Sequence, residues 1–469
     1  MKLLRRDFLK KTGLLTVAGL MPPGFIQIPN IQTETIDRSS EAQNFLIRNV
    51  HILSMDEEIG DPERSSVLVE NGKIKEISPG INPAEGIPVI DGTDGILIPG
   101  LIDNHWHLWT SLLRSMSGRR EAEGYFPMTE RFSKLFSPDD MYLAAKYAAA
   151  EAINSGITTL NDFNHNARSP QHVMASFDAL AETGMRGHVA YGVYRDMPSN
   201  TPTDWEGIKL VYKQVSENEK YRDISLGFGA RSATTPFLEA DWKKARGMGL
   251  LISVHASSNP QQIGQIAGLY KKGLLGKDVN IIHGNSITAE EIEMVQETGA
   301  SITMTPFSEM RIGFGLPKVN ELMRAGVNLG IGIDTTSLSG NADLFSTMKV
   351  LLNLGNALAY DEFHIHPRDI LKMATIDAAR LLGIDDKTGS VTPGKAADLI
   401  MLKKDDLNFS ASTQPYNLVV EAAQPANVDF VSVGGRILKR NGQLTRVDQK
   451  ELVSQANTAL RKMEERKKL

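Results

Sequence analysis

Cysteine is absent from the 469-residue sequence, and this absence excludes several kinds of chemistry at once. Without thiols there are no disulfides, no iron–sulfur clusters, no thiolate zinc sites and no cysteine nucleophile. Any metal ion must therefore be held by imidazole or carboxylate groups. Histidine is also scarce, with ten in the chain, so a cluster of histidines in one region is informative.

A basic surplus and a long apolar segment are missing as well. The 51 Lys and Arg residues are outnumbered by 56 Asp and Glu, which gives a formal net charge of −5. Nucleic-acid-binding domains are usually basic, so this balance argues against a nucleic-acid partner and favours a small molecule. Beyond the N-terminal segment, no run of about 18 uninterrupted apolar residues occurs, so no transmembrane span is predicted.

The N-terminus has the pattern of a targeting segment. Basic residues precede a short apolar run, residues 13–21, which is too short to cross a bilayer as a helix. The pair Arg5-Arg6 and the residues after it resemble a bacterial twin-arginine signal, although Leu4 stands where Ser or Thr is usual. We therefore expect residues 1–33 to be a signal peptide and the protein to be exported to the periplasm. The alternative is an amphipathic N-terminal helix.

From residue 99 to residue 386 the chain alternates short β-branched apolar runs with helix-like segments. Eight runs predict strands: Gly100–Leu108, Ile157–Phe163, Gly187–Val193, Ser225–Arg231, Leu250–His255, Val279–His283, Ser301–Thr305 and Val327–Asp334. Eight consecutive strand–helix units predict a closed (β/α)8 barrel, the TIM-barrel fold. A doubly wound open sheet is the structural alternative, but no nucleotide-binding glycine motif follows any of the runs.

The two segments that flank the barrel, residues 42–98 and 387–445, each contain short predicted strands. Neither segment has enough strands to form a stable sandwich alone, so we expect both to build one small β-sandwich domain. Residues 446–469 have the pattern of a charged C-terminal helix, whose default interpretation is a solvated face.

Histidines lie where predicted barrel strands end. His105 and His107 are two apart on the first strand, so their side chains point to the same face. The fifth, sixth and eighth strands end in His255, His283 and Asp334. The C-terminal strand ends form the active-site mouth of a barrel, and a buried carboxylate there needs a compensating partner. Together the five residues predict a metal site at this mouth.

These motifs resemble the amidohydrolase superfamily, and within it the branch of cytosine deaminases, guanine deaminases and triazine hydrolases. The similarity rests on the strand-end histidines and on three motifs, PGLIDNHWH at the first strand, GIGIDTTSLSGNADLF at the eighth and KTGSVTPGKAADLIML after the barrel. It extends from Asn49 to Gln443, nearly the whole mature chain.

The resemblance implies a role for each strand-end residue. One divalent metal ion, zinc as first choice and iron as second, would be held by His105, His107, His255 and Asp334. His283 would contact the bound water or the substrate oxygen, and Asp334 would accept the proton of the water. Binuclear relatives have a carbamylated lysine on the fourth strand; the corresponding segment SLGFGARS has none, which favours a mononuclear site. The resemblance to this family also implies a homo-oligomer.

One position departs from the deaminase branch. In that branch a Glu follows the fifth-strand histidine by three residues and protonates a ring nitrogen or the leaving amine, whereas Ser258 occupies this position here. A hydroxyl is a poor acid near neutral pH, and losing a general acid typically costs about 10²–10⁴ in rate. Glu309, where relatives usually have Asn after the seventh strand, is a candidate acid or substrate anchor. The alternative is a Glu at the rim, paired with Arg311.

Further residues near the mouth are candidates for contacts with the substrate. Trp109 follows the first strand, His165 follows the second, Arg231 ends the fourth and Ser258 follows the fifth. A structural interpretation stands beside each of the first three: core packing for Trp109, a surface loop for His165 and an ion pair for Arg231. The Gly-, Arg- and aromatic-containing stretch 114–131 is a candidate lid.

Three functions are consistent with this pattern. The leading one is a metal-dependent hydrolase that cleaves a C–N bond other than a peptide bond in a small cyclic amide, imide or amidine. The second is a heterocycle deaminase or dehalogenase with a non-standard proton donor. The third, a catalytically silent binding protein, is disfavoured by the intact set of metal-binding side chains.

Overall fold

The computed structural model describes residues 43–467, and the predicted signal peptide lies outside the described residues. In chain order the strands are β1 (Phe45–Ile52), β2 (Ser65–Glu70), β3 (Lys73–Ser78), β4 (Val89–Asp91), β5 (Gly95–Pro99), β6 (Leu101–Trp106), β7 (Ile157–Asn164), β8 (Arg186–Tyr191), β9 (Ile224–Ala230), β10 (Ile252–Ala256), β11 (Val279–His283), β12 (Ser301–Met304), β13 (Asn328–Ile331), β14 (Leu399–Lys403), β15 (Val428–Val433), β16 (Arg436–Arg440) and β17 (Gln443–Leu444).

The α-helices are α1 (Tyr125–Ser133), α2 (Pro138–Asn154), α3 (Pro170–Thr183), α4 (Trp205–Ser216), α5 (Leu238–Gly247), α6 (Gln265–Lys271), α7 (Ala289–Thr298), α8 (Pro306–Ile312), α9 (Val319–Arg324), α10 (Thr336–Ser339), α11 (Leu344–Ala359), α12 (Pro367–Met373), α13 (Ile376–Leu381), α14 (Pro415–Asn417) and α15 (Gln449–Arg466). Short 3₁₀ or π turns occupy Leu108–Leu113, Glu121–Glu123, Glu219–Tyr221, Pro260–Gln262, Leu418–Ala422 and Pro425–Asn427. Among residues 43–467, no helix is long and apolar enough to cross a membrane.

The predicted barrel is confirmed. Strands β6 to β13 are parallel and pair in chain order, and all eight overlap the apolar runs that predict them. Closure between the last and first strands is tight only at the mouth, where Asp334 N–H donates to the His105 carbonyl and His107 N–H donates to the Asp334 carbonyl, both at 2.7 Å. The residues that close the barrel are therefore the same ones that were predicted to bind metal.

Both flanks of the barrel contribute to one further sheet, as expected. Its strands pair in the order β17-β16-β15-β14-β5-β1-β2-β3, with β4 on β1, so hydrogen bonding makes it a single sheet and not two. The rings of Phe45 on β1 and Phe430 on β15 nevertheless lie 5.6 Å apart. Three strand spacings in a flat sheet would separate them by roughly 14 Å. The sheet therefore curls around its own apolar core, which gives the predicted sandwich its two facing layers.

The C-terminal helix α15 is not solvated on all sides. Leu452 and Met463 are buried, and the Arg466 guanidinium donates to the Leu135 carbonyl at 2.7 Å and to Asp140 at 3.0 Å. The apolar stripe of this helix packs on the side of the barrel because its leucine and methionine recur at helical spacing.

Candidate metal centre and active-site cavity

Five side chains meet at the C-terminal end of the barrel. His105 lies on β6 and His107 directly follows it; His255 lies on β10, His283 ends β11, and Asp334 comes shortly after β13. Because parallel strands present their carboxyl ends at one mouth, residues up to 229 positions apart are brought into contact there. Two groups that could hold a metal ion result, His105 with His107 and Asp334, and His105 with His255 and His283.

The spacing of the ligand atoms fits one metal ion. Asp334 Oδ1 lies 3.4 Å from His105 Nε2 and 3.3 Å from His107 Nε2. His255 Nε2 lies 3.2 Å from His105 Nε2. In a tetrahedral zinc site with bonds near 2.05 Å, neighbouring ligand atoms are about 3.3 Å apart. Each of the three distances is one expected between two ligands of an ion. Among the described residues His105 belongs to both groups, whereas His255 is grouped with His105 and His283 and not with His107 and Asp334. Imidazole and carboxylate are donors that fit the predicted metal.

A hydrogen bond fixes which nitrogen of His107 faces the centre. Its Nδ1 lies 2.7 Å from the Phe163 carbonyl, which can only accept, so Nδ1 holds the proton and Nε2 offers its lone pair. Outer partners of this kind orient imidazole ligands and make them better donors.

Burial keeps the imidazoles in the form that binds metal. It lowers the pKa of His105 to about 3, and burial together with the neighbouring imidazoles also lowers the pKa of His255 well below its usual value. Burial would raise the pKa of Asp334, but the rings of His105 and His107 beside it hold that pKa well below the ordinary range. Neutral imidazoles and an ionised carboxylate are the protonation states that a metal requires.

Two of these residues have unusual backbone conformations. His283 has φ +74° and Asp334 has φ +61°, in the left-handed region that side chains other than Asn and Asp rarely adopt. Such a conformation costs on the order of 1 kcal/mol and persists only where the surroundings enforce it. At the end of a strand it turns the side chain into the mouth.

The mouth opens into a cavity of about 270 Å³. Of the four residues predicted to contact the substrate, three line it: His165, Ser258 and Arg231. His165 stacks on His107, with ring centroids 3.7 Å apart and planes 11° from parallel.

Trp109 lies elsewhere than predicted. It is fully buried in the 3₁₀ turn after β6 and is not among the residues that line the cavity. Its indole N–H donates to Nδ1 of His165 at 2.7 Å, which leaves the remaining proton of a neutral His165 on Nε2. The turn rotates the indole away from the cavity. Trp109 therefore orients His165, whereas the sequence predicted a contact between Trp109 and the substrate.

Glu309 also lies behind the cavity and not in it. Its side chain is completely buried in α8, and Oε1 accepts from the Thr305 N–H at 2.7 Å and lies 3.2 Å from His283 Nδ1. Asn285 Nδ2 donates to Oε2 at 3.2 Å. The carboxylate is therefore neither at the rim beside Arg311 nor exposed to a substrate. It contacts the site through His283, which does line the cavity.

Several cavity residues escaped the sequence analysis. Tyr125 and Phe126, from the stretch 114–131, line the cavity, and so does Arg195 after β8. A signal for Arg195 was available, because it follows the third barrel strand closely, as His165 follows the second. The two aromatic residues belong to the stretch that the sequence marked as a candidate lid, although neither was named singly as a site residue.

Comparison with known proteins agrees with this geometry. The sequence profile of the amidohydrolase family matches residues 96–438, which is most of the chain. The chain belongs to the amidohydrolase family. Membership confirms the predicted enzyme class, an amidohydrolase acting on carbon–nitrogen bonds other than peptide bonds.

Two characterised relatives of this amidohydrolase are deaminases. A 5-methylthioadenosine/S-adenosylhomocysteine deaminase of Moorella thermoacetica is 28% identical over 404 residues, which are 81% of this chain and 92% of the relative. A 5'-deoxyadenosine deaminase of Methanothermobacter thermautotrophicus is 27% identical over 438 residues, covering 89% of this chain and 98% of the relative.

Solved structures share the fold. An adenosine deaminase from Xanthomonas campestris with bound zinc has a TM-score of 0.82 at 22% identity, covering 90% of this chain and 99% of that one. An atrazine chlorohydrolase from Arthrobacter aurescens complexed with zinc has a TM-score of 0.79 at 20% identity, covering 89% and 100%.

Proposed function

We propose that this amidohydrolase uses water activated by a single zinc ion to cleave a non-peptide C–N bond of a small cyclic amide, imide or amidine. The observation that supports this most strongly is that Asp334 lies within 3.4 Å of His105 and His107 and that His255 lies 3.2 Å from His105. The described residues that line the cavity beside them include Ser258 and no carboxylate other than Asp334. A ring opening with an adequate leaving group needs no strong acid at that position.

Zinc is the preferred metal and iron the second choice. Three imidazoles and one carboxylate suit either ion, and the solved relatives from Xanthomonas and Arthrobacter contain zinc. A divalent ion held by these residues would lower the pKa of bound water from 15.7 towards about 7.

Asp334 and His283 are the proposed proton carriers. The Asp334 carboxylate is ionised and lies at the barrel mouth, so it can accept a proton from an attacking water. His283 lines the same cavity and can stabilise negative charge on the substrate oxygen or return a proton to the leaving nitrogen.

Glu309 is proposed to act through His283. A carboxylate 3.2 Å from Nδ1 directs the opposite nitrogen, Nε2, towards the cavity and balances the charge when the ring is protonated. This arrangement supplies the acid function that Ser258 does not provide, without Glu309 itself touching the substrate.

Deamination or dehalogenation of a heterocycle is the second candidate. It is favoured by the similarity to two deaminases over more than four-fifths of the chain. It requires His283, backed by Glu309, to replace the absent Glu as proton donor.

One screen separates the candidates. The zinc-loaded protein is incubated with cyclic amides, imides, amidines, aminoheterocycles and haloheterocycles, and ammonia, halide and ring-opened product are measured together. Ring opening without ammonia supports the first candidate, whereas ammonia or halide release supports the second. The matched control is His255→Ala, which removes one ligand. Purified protein that takes up no stoichiometric metal would refute both and leave a binding protein.

We propose further that the protein is exported by the twin-arginine route to the periplasm and works there as a homo-oligomer. Support for export comes from the Arg5-Arg6 pair in the sequence, and support for assembly comes from the family resemblance. Replacing both arginines by lysine is expected to retain the protein in the cytoplasmic fraction. Light scattering of the mature protein tests the assembly, and a monomer mass would contradict it.

A further inference from the structure

One side of the catalytic cavity contains a guanidinium group with unused hydrogen-bond donors. Nε and Nη2 of Arg195 are shielded from solvent and have no hydrogen-bond partner. These two atoms lie along one edge of the guanidinium plane, so their N–H bonds point the same way. Arginine stays protonated in proteins, so these two atoms are donors without an acceptor among the described residues, while the side chain as a whole is partly exposed.

Aromatic rings hold this guanidinium in place. Its central carbon lies 5.2 Å from the centroid of Tyr125 and 5.1 Å from that of Phe126, both on α1. Cation–π contacts act on the faces of the planar group and leave its N–H edge free. The arrangement holds the side chain without using the Nε and Nη2 donors.

A second arginine fastens the loop on which Arg195 lies. Arg231, after β9, donates from Nη1 to the carbonyls of Pro198 and Ser199, each at 3.0 Å. Its Nη2 is buried without a partner, and Arg231 lines the same cavity as Arg195. Two arginines that line one compartment therefore have three nitrogen atoms without a hydrogen-bond partner.

The acidic residues around this compartment are engaged elsewhere. Asp334 is the one carboxylate among the described cavity-lining residues, and it lies against His105 and His107. Asp196 pairs with Arg168 and Lys134. Asp204 accepts from the Gly207 N–H at the start of α4 and from the Tyr191 hydroxyl. Asp241 accepts from the Thr203 hydroxyl and the Trp205 indole N–H. Asp241 acts on Arg231 through its charge, but no carboxylate among the described residues forms an ion pair with Arg195 or Arg231.

We propose that Arg195, supported by Arg231, is a subsite for a carboxylate, and that the substrate of the proposed hydrolase is a cyclic amide, imide or amidine bearing one. The identity of the reacting group rests on the proposed function, whereas the carboxylate is inferred from the two arginines alone. Two parallel N–H bonds match the two oxygens of a carboxylate in a bidentate pair. The same edge can bind two oxygens of a phosphate, so the test below includes the phosphonate analogue to distinguish the two groups.

The subsite has a definite place in the mouth. Arg195 and Arg231 follow the third and fourth barrel strands, whereas Asp334 follows the eighth, across the barrel. A substrate anchored by its carboxylate on one side would therefore extend its ring towards the metal ligands. Anchoring at a distance from the reacting bond fixes orientation.

The test uses matched pairs of compounds in which a carboxylate is replaced by a carboxamide, such as hydantoin-5-acetate and hydantoin-5-acetamide, across several ring types. Binding to the zinc-loaded protein is measured by calorimetry, and hydrolysis by kcat/KM. The wild type is expected to prefer the carboxylate member by about 30-fold or more. Arg195→Lys keeps the charge and loses the planar edge; it should weaken the carboxylate members about 100-fold and the carboxamides less than about threefold.

The matched control is Arg311→Ala, which removes an exposed guanidinium at the same end of the barrel and should change neither member of a pair. Four results would overturn the subsite. The wild type binds both members of a pair equally, binds neither member of any pair, or prefers the phosphonate analogue; or Arg195→Lys weakens the carboxylate and the carboxamide equally. Carboxylate-selective binding without turnover would refute the proposed function alone, and turnover without selectivity would refute the subsite alone.

Discussion

Replacing Asp334 by Asn separates metal binding from backbone strain at the centre of the site. Asn tolerates the left-handed conformation that Asp334 adopts at φ +61°, so both backbone hydrogen bonds that close the barrel mouth should remain. The carboxylate oxygen 3.4 and 3.3 Å from His105 and His107 is lost as an anionic ligand and as a proton acceptor. Alanine at this position would add strain and confuse the two effects.

The expected shift in Tm follows from the size of the protein. Metal at 100 times its dissociation constant stabilises the wild type by about 2.7 kcal/mol. With about 2.1 cal/mol/K per residue over the roughly 425 described residues, the unfolding entropy is about 0.9 kcal/mol/K, so Tm should rise by about 3 °C. A 100-fold loss of affinity in Asp334→Asn leaves about 0.4 kcal/mol, a rise of less than about 0.5 °C.

The assay is thermal unfolding with and without added zinc, together with metal content and turnover. Metal-free Asp334→Asn should unfold within about 1 °C of the metal-free wild type, because a buried charge disappears along with its hydrogen bonds. Its kcat should fall by at least about 10³. Asp361→Asn, an exposed change of the same charge, is the control. A variant that keeps the full zinc-induced rise in Tm would show that Asp334 is not a ligand.

Three further predictions concern positions around the site and the core. Glu309→Gln should lower kcat by roughly tenfold or more with little change in KM or zinc content, since His283 loses its anionic partner; a fall in kcat/KM below tenfold would rule out this role. Gly227→Ala places a methyl group 2.0 Å from His188 Nε2 and should lower Tm by about 2 °C, whereas Gly268→Ala, with open space inside α6, should not lower it. Burial lowers the pKa of Lys439 to about 8, so the unfolded chain binds the extra proton and stability should rise between pH 8 and about 10.5. Urea unfolding of Lys439→Met should lack this rise, worth at most about 3 kcal/mol, and an unchanged pH profile would contradict the assignment.

The barrel strands were predictable because their signal is local. Each is a short apolar run followed by a turn, and a parallel strand buried on both faces has this composition wherever it lies in the chain. The positions of His255, His283 and Asp334 were predictable for the same reason, because a polar residue that ends such a run lies at the barrel mouth. The family resemblance of these motifs extended the prediction to the enzyme class, which membership of the amidohydrolase family confirms.

The side chains beyond the strand ends were less predictable. Trp109 and Glu309 both lie close to a strand end in sequence, yet a 3₁₀ turn and the short helix α8 direct them behind His165 and His283. Sequence distance from a strand end does not reveal how a loop turns. Arg195 follows a barrel strand closely, but its segment does not show that the neighbouring Asp196 pairs with Arg168. The unpaired donors of Arg195 could therefore not be predicted from the sequence.

The sequence by itself determined the repeating strand and helix pattern, the types of side chain available for a metal, and the absence of Glu at Ser258. These are properties of residue identity and short-range periodicity, and they hold before the chain folds. Only the tertiary structure decided which atoms meet: that Asp334 lies beside Nε2 of His105 and His107, that His255 Nε2 lies beside His105 Nε2, and that Arg195 is left with unpaired donors. The physical reason is that convergence and satisfaction of hydrogen bonds depend on distances between segments far apart in the chain, which barrel closure fixes and local sequence does not.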